Sequence, residues 1–426
     1  MDSLKDISFT AKRAVMVGLA CGRRGFDSDE ESLDELTELL RTCGVVAAGR
    51  ALQNRDVPDP RFLIGAGKVE EVRGLAVNLG AEAVVFDNEL SPSQLGALSD
   101  ALNMYVTDRS GVILEIFSQR AQSGEGRLQV ELATLKYLLP RLTGHGVDLS
   151  RMGGQLRARG PGETKLETDR RHIRVKVARL ERELKEVRRA RDVQRSRRLK
   201  NDVPLISLVG YTNAGKSTLM NALTDAGTQA NDQLFDTLDT VTRRVAINGM
   251  PDALLSDTVG FIRRLPTPLI DAFRATLEEL TFADLLLHVI DASAHDRDEK
   301  AAVVDHTLDQ LGLSAAPVLR VFNKNDLAQD FDVPMESRSV AVSAISGQGL
   351  EELRARIARE IGSARKRVRI GIPYAQYALI DSLYQRATVH GIEYTEDNIL
   401  ADVTCDRLFL NKLQDDPLLS LSAYGS

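Results

Sequence analysis

GYTNAGKS, residues 210–217, is the most informative stretch of this sequence, because it follows the apolar run PLISLV at 204–209 and precedes a helix-like segment. These parts complete the GxxxxGK[ST] pattern in the strand–loop–helix setting that it requires. Glycines let backbone N–H groups turn towards phosphate oxygens, and the helix N-terminus adds its dipole. We therefore predict a P-loop in which Lys216 reaches the β- and γ-phosphates and Ser217 binds Mg²⁺.

A second phosphate-side motif follows the strand-like segment DALLS at 252–256. It is the tetrad Asp257, Thr258, Val259 and Gly260. An aspartate at the end of a neighbouring strand can hold Mg²⁺ through water, and the Gly260 N–H can sense the γ-phosphate. A DxxG tetrad is weak by itself, but its position after the P-loop and a strand makes it informative here.

The base is predicted from NKND at 323–326, which follows the strand-like VLRVF at 318–322. An ionised Asp326 only accepts hydrogen bonds, so it suits the N1–H and exocyclic amine of guanine rather than adenine. Lys324 would pack over the base plane. The Ser343–Ala344 backbone would contact the guanine carbonyl, which completes a site for GTP rather than ATP.

A mobile segment must also close over Mg²⁺ and the γ-phosphate, and FDTLDT at 235–240 lies between the two phosphate motifs. Thr237 is our predicted ligand, with Thr240 as the alternative that spacing alone leaves open. The predicted catalytic residues are Lys216, Thr237 and Gly260, and the predicted metal ligands are Ser217 and Thr237. The whole predicted nucleotide set is Gly210, Tyr211, Thr212, Asn213, Ala214, Gly215, Lys216, Ser217, Thr218, Phe235, Asp236, Thr237, Leu238, Asp239, Asp257, Thr258, Val259, Gly260, Asn323, Lys324, Asn325, Asp326, Ser343, Ala344 and Ile345.

Two residues of the predicted site raise mechanistic questions. Phe261 stands where many GTPases place a Gln or His that orients the attacking water, and a phenyl ring cannot do so. Either Phe261 packs into the switch while another group acts, or unaided hydrolysis is slow and a partner completes the site; we favour the second. Asn213 suggests K⁺ as an additional positive charge near the phosphates, with a loop-stabilising role as the alternative.

The chain divides by pattern into four regions, giving an α/β fold class. Residues 1–120 alternate strand-like stretches, at 13–20 and 83–87, with helix-like stretches, the last of which would have Ser91 as its N-cap. This alternation predicts an N-terminal α/β domain with a largely parallel sheet. Residues 121–200 predict an antiparallel helical hairpin. Residues 201–363 form the P-loop GTPase domain, and residues 364–426 predict a small α+β C-terminal domain, with a strand at 367–374 and a helix at 375–389.

The hairpin is predicted from two heptad-like seams. Leucines recur with spacings of 4 and 3 from Leu128 to Leu142, and apolar residues do so again from Leu166 to Val187. Between them, 143–163 is a glycine-rich tip with Arg151, Arg157 and Arg159. Residues 151–200 carry 18 Lys and Arg against 7 Asp and Glu, in a chain of net charge −6, which indicates contact with a polyanion. The alternative is a solvated helix face.

Composition narrows the class of protein further. No run of 18 uncharged apolar residues is present, so no membrane-spanning helix and no stable membrane insertion are expected. The three cysteines, Cys21, Cys43 and Cys405, show no metal-binding spacing and fit a reducing compartment. We expect a cytoplasmic protein, with a monomer as the default.

With these residues in hand, the chain resembles the HflX family of ribosome-associated GTPases over nearly its whole length. The resemblance rests on DPRFLIGAGKVEE at 59–71, DRSGVILEIFSQRAQSGEGRLQVELATLKYLLPRL at 108–142, RGPGETKLETDRR at 159–171, DTVGFIRRLP at 257–266 and ADLLLHVIDAS at 283–293. It implies GTP-favoured binding to the rRNA of the large ribosomal subunit, in splitting or rescue of stalled ribosomes or in ribosome assembly. It also implies that the family's Mg²⁺-binding threonine corresponds to Thr237 and that the hairpin tip reaches towards the peptidyl transferase centre.

The sequence departs from the family pattern at two places. Leu156-Arg157-Ala158-Arg159 stands where the family has IGTR, and Thr240 stands where it has a proline. Neither position contacts phosphate or base. The family's N-terminal domain has been suggested to bind ATP, for which Gly65-Ala66-Gly67-Lys68 is the candidate here, with a helix-opening turn as the alternative.

Two other functions compete with a translational GTPase. One is an ATP-driven RNA remodelling enzyme with a regulatory G domain, although no second full phosphate loop is present. The other is a GTP-controlled adaptor for a membrane or protease partner. The basic hairpin favours RNA over a membrane, since no lipid-anchoring apolar face accompanies it.

Overall fold

The structure is a computed structural model that describes residues 11–21, 26–142, 165–200, 203–224, 241–247, 253–258, 260–263, 266, 269, 278–313, 316–328, 338–414, 416 and 418–423. The chain divides into two compact units. The first comprises Met1–Leu184 with Leu265–Phe273, and the second comprises Lys185–Arg264 with Arg274–Ser426.

The first unit begins with a four-stranded, fully parallel sheet in the order β2-β1-β3-β4. Its elements are β1 Arg13–Cys21, α1 Phe26–Thr42, β2 Val46–Arg55, α2 Ala66–Asn78, β3 Ala83–Phe86, α3 Pro92–Leu102, β4 Tyr105–Asp108 and α4 Arg109–Arg120. The inner strands are buried along almost their whole length, as expected for a sheet covered on both faces. The predicted α/β domain with a parallel sheet is therefore present.

Sequence patterns located some of these elements better than others. The two strands predicted at 13–20 and 83–87 are β1 and β3, and the predicted N-cap Ser91 accepts a hydrogen bond from the Gln94 N–H in a capping box. The strand β2 was missed because it is a half-exposed edge strand whose apolar residues are mostly alanine. The strand β4 was missed because two of its four residues, Thr107 and Asp108, are polar, whereas the equally short β3 is a continuous apolar run.

Two long helices follow, α5 Gly124–Arg141 and α6 Lys165–Lys200. The predicted seam forms between them, with Leu132, Leu135, Leu180 and Leu184 buried and Leu128, Ile173 and Val177 packed alongside. Two ion pairs, Glu131 with Lys176 and Lys136 with Glu181, flank this seam. The predicted tip at 143–163 lies outside the described residues.

The end of α5 is tied to the sheet through Asp108, a fully buried residue at the carboxyl end of β4. One carboxylate oxygen accepts hydrogen bonds from the Gly111 N–H at 3.0 Å and the Tyr137 hydroxyl at 2.8 Å. The other accepts from the Leu90 N–H and from the Arg141 guanidinium, both at 3.1 Å. The structure thus places α5 in one compact unit with the sheet, while the domain limits predicted above stay a prediction.

The second unit contains a six-stranded sheet in the order β10-β9-β8-β5-β7-β6, parallel except for the edge strand β6. Its elements are β5 Leu205–Gly210, α7 Lys216–Thr224, β6 Val241–Val245, β7 Ala253–Asp257, a 3₁₀ helix Glu278–Phe282, β8 Leu285–Asp291, α8 Arg297–Gln310, β9 Val318–Asn323, β10 Ser339–Ala341 and α9 Leu350–Ala364. The parallel strands β5, β7, β8 and β9 end at the same edge, where ligands of open α/β sheets bind.

A second sheet in this unit is antiparallel, in the order β12-β13-β11-β14. Its elements are β11 Arg365–Pro373, a 3₁₀ helix Tyr374–Gln376, α10 Leu379–Arg386, β12 Thr388–Tyr394, β13 Asn398–Asp406, α11 Arg407–Gln414 and β14 Ser420–Ala423. This is the predicted α+β domain. The helix predicted over 375–389 was too long, because the chain turns extended at Ala387 and Thr388 begins the edge strand.

Among the described helices, none is both long and apolar enough to cross a membrane. The three cysteines are free thiols.

Candidate nucleotide-binding site

The loop between β5 and α7 has the backbone of a phosphate cradle. Gly215 has a φ of +87°, and a Cβ at this position would lie 2.3 Å from the Asn323 side-chain nitrogen. Only glycine allows both this backbone conformation and this close approach. Asn213 also has a positive φ, of 61°, and its side chain is exposed. Two residues of the loop thus have the left-handed backbone conformation that is common in anion-binding loops.

Lys216, at the start of α7, is buried below this loop. Its ammonium group donates hydrogen bonds to the carbonyl oxygens of Gly210 at 3.0 Å and Tyr211 at 2.8 Å. Burial lowers the pKa of Lys216 from 10.5 to about 8, although the charge of Asp257 partly opposes this shift. A phosphate beside Lys216 would favour the charged form, so the group is suited to an anionic ligand.

The hydroxyl of Ser217 and the carboxylate of Asp257 meet at the end of β7, with Ser217 donating to Asp257 Oδ2 at 2.9 Å. Hydroxyl, carboxylate and water oxygens are the ligands that Mg²⁺ prefers. The donor chemistry of this pair therefore fits a magnesium ion. The next residue, Thr258, donates from its hydroxyl to the Leu208 carbonyl at 2.7 Å, which ties the end of β7, where Asp257 lies, to β5.

The segment after β7 is hydrogen-bonded directly to the P-loop. The Thr212 N–H donates to the Phe261 carbonyl at 2.8 Å, and the Phe261 N–H donates to the Gly210 carbonyl at 3.1 Å. The Tyr211 hydroxyl accepts a third bond, from the Arg263 N–H at 2.8 Å. We call these three bonds the loop junction. Phe261 is 1% exposed, so its ring packs in the interior.

Gly260 lies beside Lys216 within this arrangement. A Cβ at Gly260 would be 2.9 Å from the Thr212 methyl group and 3.1 Å from the Lys216 ammonium nitrogen. The Gly260 backbone therefore closely approaches the group predicted to hold the γ-phosphate. Thr212 is buried as well, and its hydroxyl oxygen has no hydrogen-bond partner within the described part of the chain.

Asn323, at the end of β9, holds the phosphate and base loops together. Its side-chain nitrogen donates to the Ala214 carbonyl at 3.0 Å, and its side-chain oxygen accepts from the Ala344 N–H at 3.0 Å. Asp326 follows with an exposed carboxylate that is available to a ligand. The arrangement brings the phosphate loop and the predicted base-binding segments to one end of the sheet.

The loop after β10 is ordered around Ser343, which is fully buried. Its backbone N–H donates to the Gln348 carbonyl at 2.9 Å, and its hydroxyl accepts from the Ser346 N–H at 3.1 Å. Ile345, between them, is 79% exposed. These contacts set the backbone of the predicted base loop without using its outward-facing side chain.

Several interactions were not found by sequence reasoning. Asp291, at the end of β8, forms an ion pair with Lys324 at 2.7 Å. This pair fixes the ammonium group of the residue predicted to cover the base. Arg263 forms ion pairs with Glu299 of α8, at 2.7 Å, and with Asp296, the residue before α8, at 3.6 Å. In the sequence, only the position of Asp291 at the end of a strand could have indicated its role. The partners in these ion pairs are too far apart in sequence for a local pattern to reveal them.

Other predicted residues lie outside the part that the structure describes. These are the switch segment with Phe235, Asp236, Thr237, Leu238, Asp239 and Thr240, and also Val259. Thr218 is described, in the first turn of α7. The roles predicted for all of these residues stay predictions.

The second nucleotide candidate, Gly65-Ala66-Gly67-Lys68, opens α2. The Gly65 N–H donates to the Gln53 side chain at 2.8 Å, and Lys68 pairs with Glu71 at 2.7 Å. These contacts agree with the helix-opening turn. Binding of ATP there stays untested.

Four family profiles match successive parts of the chain. They are described as GTP-binding GTPase N-terminal at 30–118, GTP-binding GTPase Middle Region at 120–198, 50S ribosome-binding GTPase at 205–324 and HflX C-terminal domain at 332–406.

Individual relatives match over almost the full chain. A protein named GTPase HflX from Caldanaerobacter subterraneus subsp. tengcongensis is 43% identical over 408 residues, covering 95% of this chain and 94% of that protein. The GTPase HflX of Escherichia coli K12 is 40% identical over 377 residues, covering 87% and 88%. A GTP-binding protein from Sulfolobus solfataricus, crystallised with GDP, is 23% identical, with a TM-score of 0.43 over 82% of this chain and 99% of that one.

Proposed function

This chain belongs to the HflX family of GTPases and hydrolyses GTP, and from that premise we propose that it works on the large ribosomal subunit, in splitting or rescue of stalled ribosomes or in ribosome biogenesis. The profile over 205–324 describes 50S ribosome-binding GTPases, which supports this proposal. Because ribosomes are cytoplasmic, the proposal places the protein in the cytoplasm, where we expect it to act as a monomer.

We infer the following roles on the phosphate side. The Lys216 ammonium exchanges its two carbonyl partners for phosphate oxygens, which restores full charge at a buried site. The Gly260 N–H donates to the γ-phosphate. Thr237 closes over the metal and the γ-phosphate. Backbone N–H groups of 210–217 contact the β-phosphate at the start of α7.

Ser217 is the direct ligand in the proposed magnesium site, with Thr237 as its switch counterpart and Asp257 acting through water. When bound, Mg²⁺ neutralises charge that develops on the phosphate oxygens. Asn213 is the proposed contact for K⁺, since it is exposed on the phosphate loop. A turnover rate in NaCl equal to that in KCl would remove the potassium proposal.

On the base side, Asp326 accepts from the guanine N1–H and amine, while Lys324 covers the ring from its anchor on Asp291. The Ala344 N–H already donates to Asn323 and the Ser343 N–H to Gln348, so the backbone contact to the guanine carbonyl falls to their neighbour Ile345. From the sequence alone, this backbone contact had been assigned to Ser343 and Ala344.

The ribosomal contact is best supported by α6. Its exposed side chains include Arg171, Arg174, Arg182 and Lys185, and its seam residues face α5. Arginine and lysine on an exposed helix face suit rRNA phosphates and need no base-specific contact.

The burial of Phe261 bears on how the reaction is activated. Its ring lies in the interior and carries no polar atom, so it cannot orient the attacking water. We therefore propose that the ribosomal subunit, or a group that it repositions, completes the site.

The decisive experiment compares GTP turnover by the purified protein alone and with purified large ribosomal subunits, in KCl buffer. We expect strong stimulation by the subunits. Absence of stimulation with GTP binding intact would overturn the ribosomal proposal and favour the adaptor function.

Co-sedimentation with large subunits over a salt series tests the contact surface. The variant Arg174→Glu/Arg182→Glu should pellet more weakly and with a smaller salt slope than the wild type. Arg41→Glu/Arg73→Glu provides the control, because it makes the same charge change on exposed residues of α1 and α2. Equal losses in both variants would argue against α6 as the anchor.

A further inference from the structure

The antiparallel domain carries an exposed cluster of aromatic residues. Tyr374, Tyr377, Tyr384 and Tyr394 are exposed by 46%, 55%, 44% and 62%. The chain has eight tyrosines and no tryptophan, so half of its tyrosines lie within 374–394. We call these four residues the tyrosine patch.

The four side chains are neighbours and not merely close in sequence. Tyr394 forms a side-chain hydrogen bond with Tyr377 and interacts electrostatically with Tyr384 and Tyr374. The Tyr377 hydrogen bond is the main reason that the pKa of Tyr394 lies above its ordinary value. Tyr374 donates from its hydroxyl to the Thr395 carbonyl at 2.5 Å, which holds it against the end of β12.

The patch lies on an edge of the fold. The strand β12, which carries Tyr394, is a terminal strand of its sheet, and α10, which carries Tyr384, precedes it directly. Large tyrosine side chains at an exposed edge are costly to leave in water and are enriched at protein–protein interfaces. The patch is therefore better explained as a contact surface than as part of the core.

The charges around the patch indicate the chemistry of its partner. Exposed carboxylates surround it in sequence, namely Asp381, Glu393, Glu396 and Asp397. Exposed cations between 374 and 397 are limited, among the described side chains, to Arg386 and the weakly basic His390. Arg386 already lies over the Phe409 ring at 4.8 Å. This surface would repel a phosphate backbone and attract a cation.

We propose that the tyrosine patch binds an arginine- or lysine-rich segment of a partner protein. Tyrosine ring faces attract guanidinium and ammonium groups, and the flanking carboxylates add charge complementarity. The inference goes beyond the proposed function, since it concerns a protein ligand and a surface whose chemistry is opposite to that of α6.

The test measures fluorescence anisotropy of a labelled peptide of six Gly–Arg repeats, titrated with the full-length protein at low salt. Tyr377→Ala/Tyr394→Ala should weaken binding at least tenfold. Tyr377→Phe/Tyr394→Phe should stay within threefold of the wild type, because the ring faces remain. Leu418→Ala is the control, since Leu418 is exposed in the same sheet domain to the same 62% as Tyr394.

Each outcome has a defined meaning. Equal binding by the wild type and the alanine variant, with unchanged melting temperature and GDP affinity, would overturn the proposal. An equal loss in Leu418→Ala would overturn it too, because the effect would then not be specific to tyrosine. A labelled oligouridylate is titrated in parallel. If the alanine variant loses binding of this oligonucleotide but keeps binding of the peptide, the patch is a nucleic-acid surface and the protein partner is rejected.

Discussion

Lys216 illustrates how a single buried charge can prepare a site for its ligand. Its ammonium group is satisfied by two carbonyl oxygens of its own loop, yet its pKa is lowered to about 8 because it has lost contact with water. A lysine whose folded pKa lies below its unfolded value destabilises the folded state while it is charged. A phosphate would remove this penalty, so the energy of burial favours nucleotide binding.

The first prediction is that GTP affinity falls as the pH rises through 8. Above that value the free protein has lost the Lys216 proton, and binding must take it up again. The dissociation constant should increase on the order of tenfold between pH 7.5 and 9. Isothermal titration calorimetry in two buffers of different ionisation enthalpy would detect the proton uptake.

The range stops at pH 9 to limit the ionisation of the guanine N1–H, which would also weaken binding. Magnesium and salt concentrations are held constant across the series. An affinity independent of pH, with no proton uptake at pH 8.5, would contradict the low pKa.

The second prediction concerns Asp326, whose exposed carboxylate is predicted to read guanine. Asp326→Asn replaces an acceptor by a group that also donates, which suits the C2 carbonyl of xanthine. The variant should bind GTP at least a hundredfold more weakly and should gain affinity for XTP. Competition with a fluorescent nucleotide measures both changes.

Because Asp326 is exposed, its substitution should alter the free energy of unfolding by less than about 0.5 kcal/mol. The conservative variant Asp326→Glu provides a control that keeps the charge. Loss of affinity for both nucleotides alike would argue that Asp326 stabilises the loop rather than reads the base.

Residue-level reasoning from sequence is most specific where the chemistry is local. Lys216 and Ser217 were predicted from fixed spacing within one loop, and the structure places Asp257 beside Ser217, while their roles as ligands stay predictions. Asp291 and Arg263 were missed, because their partners are distant in sequence and nothing in a single chain marks such pairs.

At the scale of elements, the loop junction is the main finding that the sequence did not predict. Three hydrogen bonds join the P-loop to residues 260–263, and only the one accepted by Tyr211 involves a side chain. Arg263 continues the connection to α8 through Glu299 and Asp296. The phosphate loop, the segment after Gly260, which is the predicted γ-phosphate sensor, and α8 are therefore linked by direct contacts within one unit.

The third prediction is that Tyr211→Phe loosens this junction. The change removes the acceptor of the Arg263 N–H and leaves the ring, which costs about 1 kcal/mol. Amide hydrogen exchange across 261–263 should then speed up roughly fivefold in the nucleotide-free protein. Mass spectrometry of peptides that cover this segment gives the measurement.

Tyr384→Phe is the matched control, since it removes a phenolic hydroxyl from an exposed ring in the same unit. It should leave exchange at 261–263 unchanged. If Tyr211→Phe also leaves exchange there unchanged, the two backbone hydrogen bonds alone hold the segment.

Prediction of elements followed the strength of their patterns. The leucine seam of α5 and α6 was readable because its period is regular, and β1 and β3 because they are continuous apolar runs. The end of α10 was not readable from the sequence, because residues 387–389 continue its pattern of apolar residues. Their backbone is already extended, and Thr388 begins β12. Pairing with another strand decided that boundary.

At the scale of the whole molecule, the chain consists of two compact units. The described residues of the candidate nucleotide site belong to the second unit, and the parallel four-stranded sheet belongs to the first. The fold class of each region was predictable from its pattern of elements, whereas the grouping of α5 with the first sheet depended on buried polar contacts of Asp108.

The fourth prediction is that nucleotide binding stabilises the two units unequally. A ligand that binds only the folded second unit at a hundred times its dissociation constant adds about 2.7 kcal/mol to the stability of that unit. Differential scanning calorimetry with and without GDP·Mg²⁺ should show two transitions, of which one moves to higher temperature. A single transition that moves as a whole would mean that the units unfold together.

The bonds of Asp108 also have a mechanical consequence. Tyr137 and Arg141 fasten the last turn of α5, an 18-residue helix about 27 Å long, to the edge of a rigid sheet. The helix α5 is therefore fixed to the sheet at the end from which the chain continues into residues 143–164. A load entering the chain there would act on a charged, desolvated fastening and not on the backbone of the helix. The force that this attachment withstands would be set by three side chains, those of Asp108, Tyr137 and Arg141.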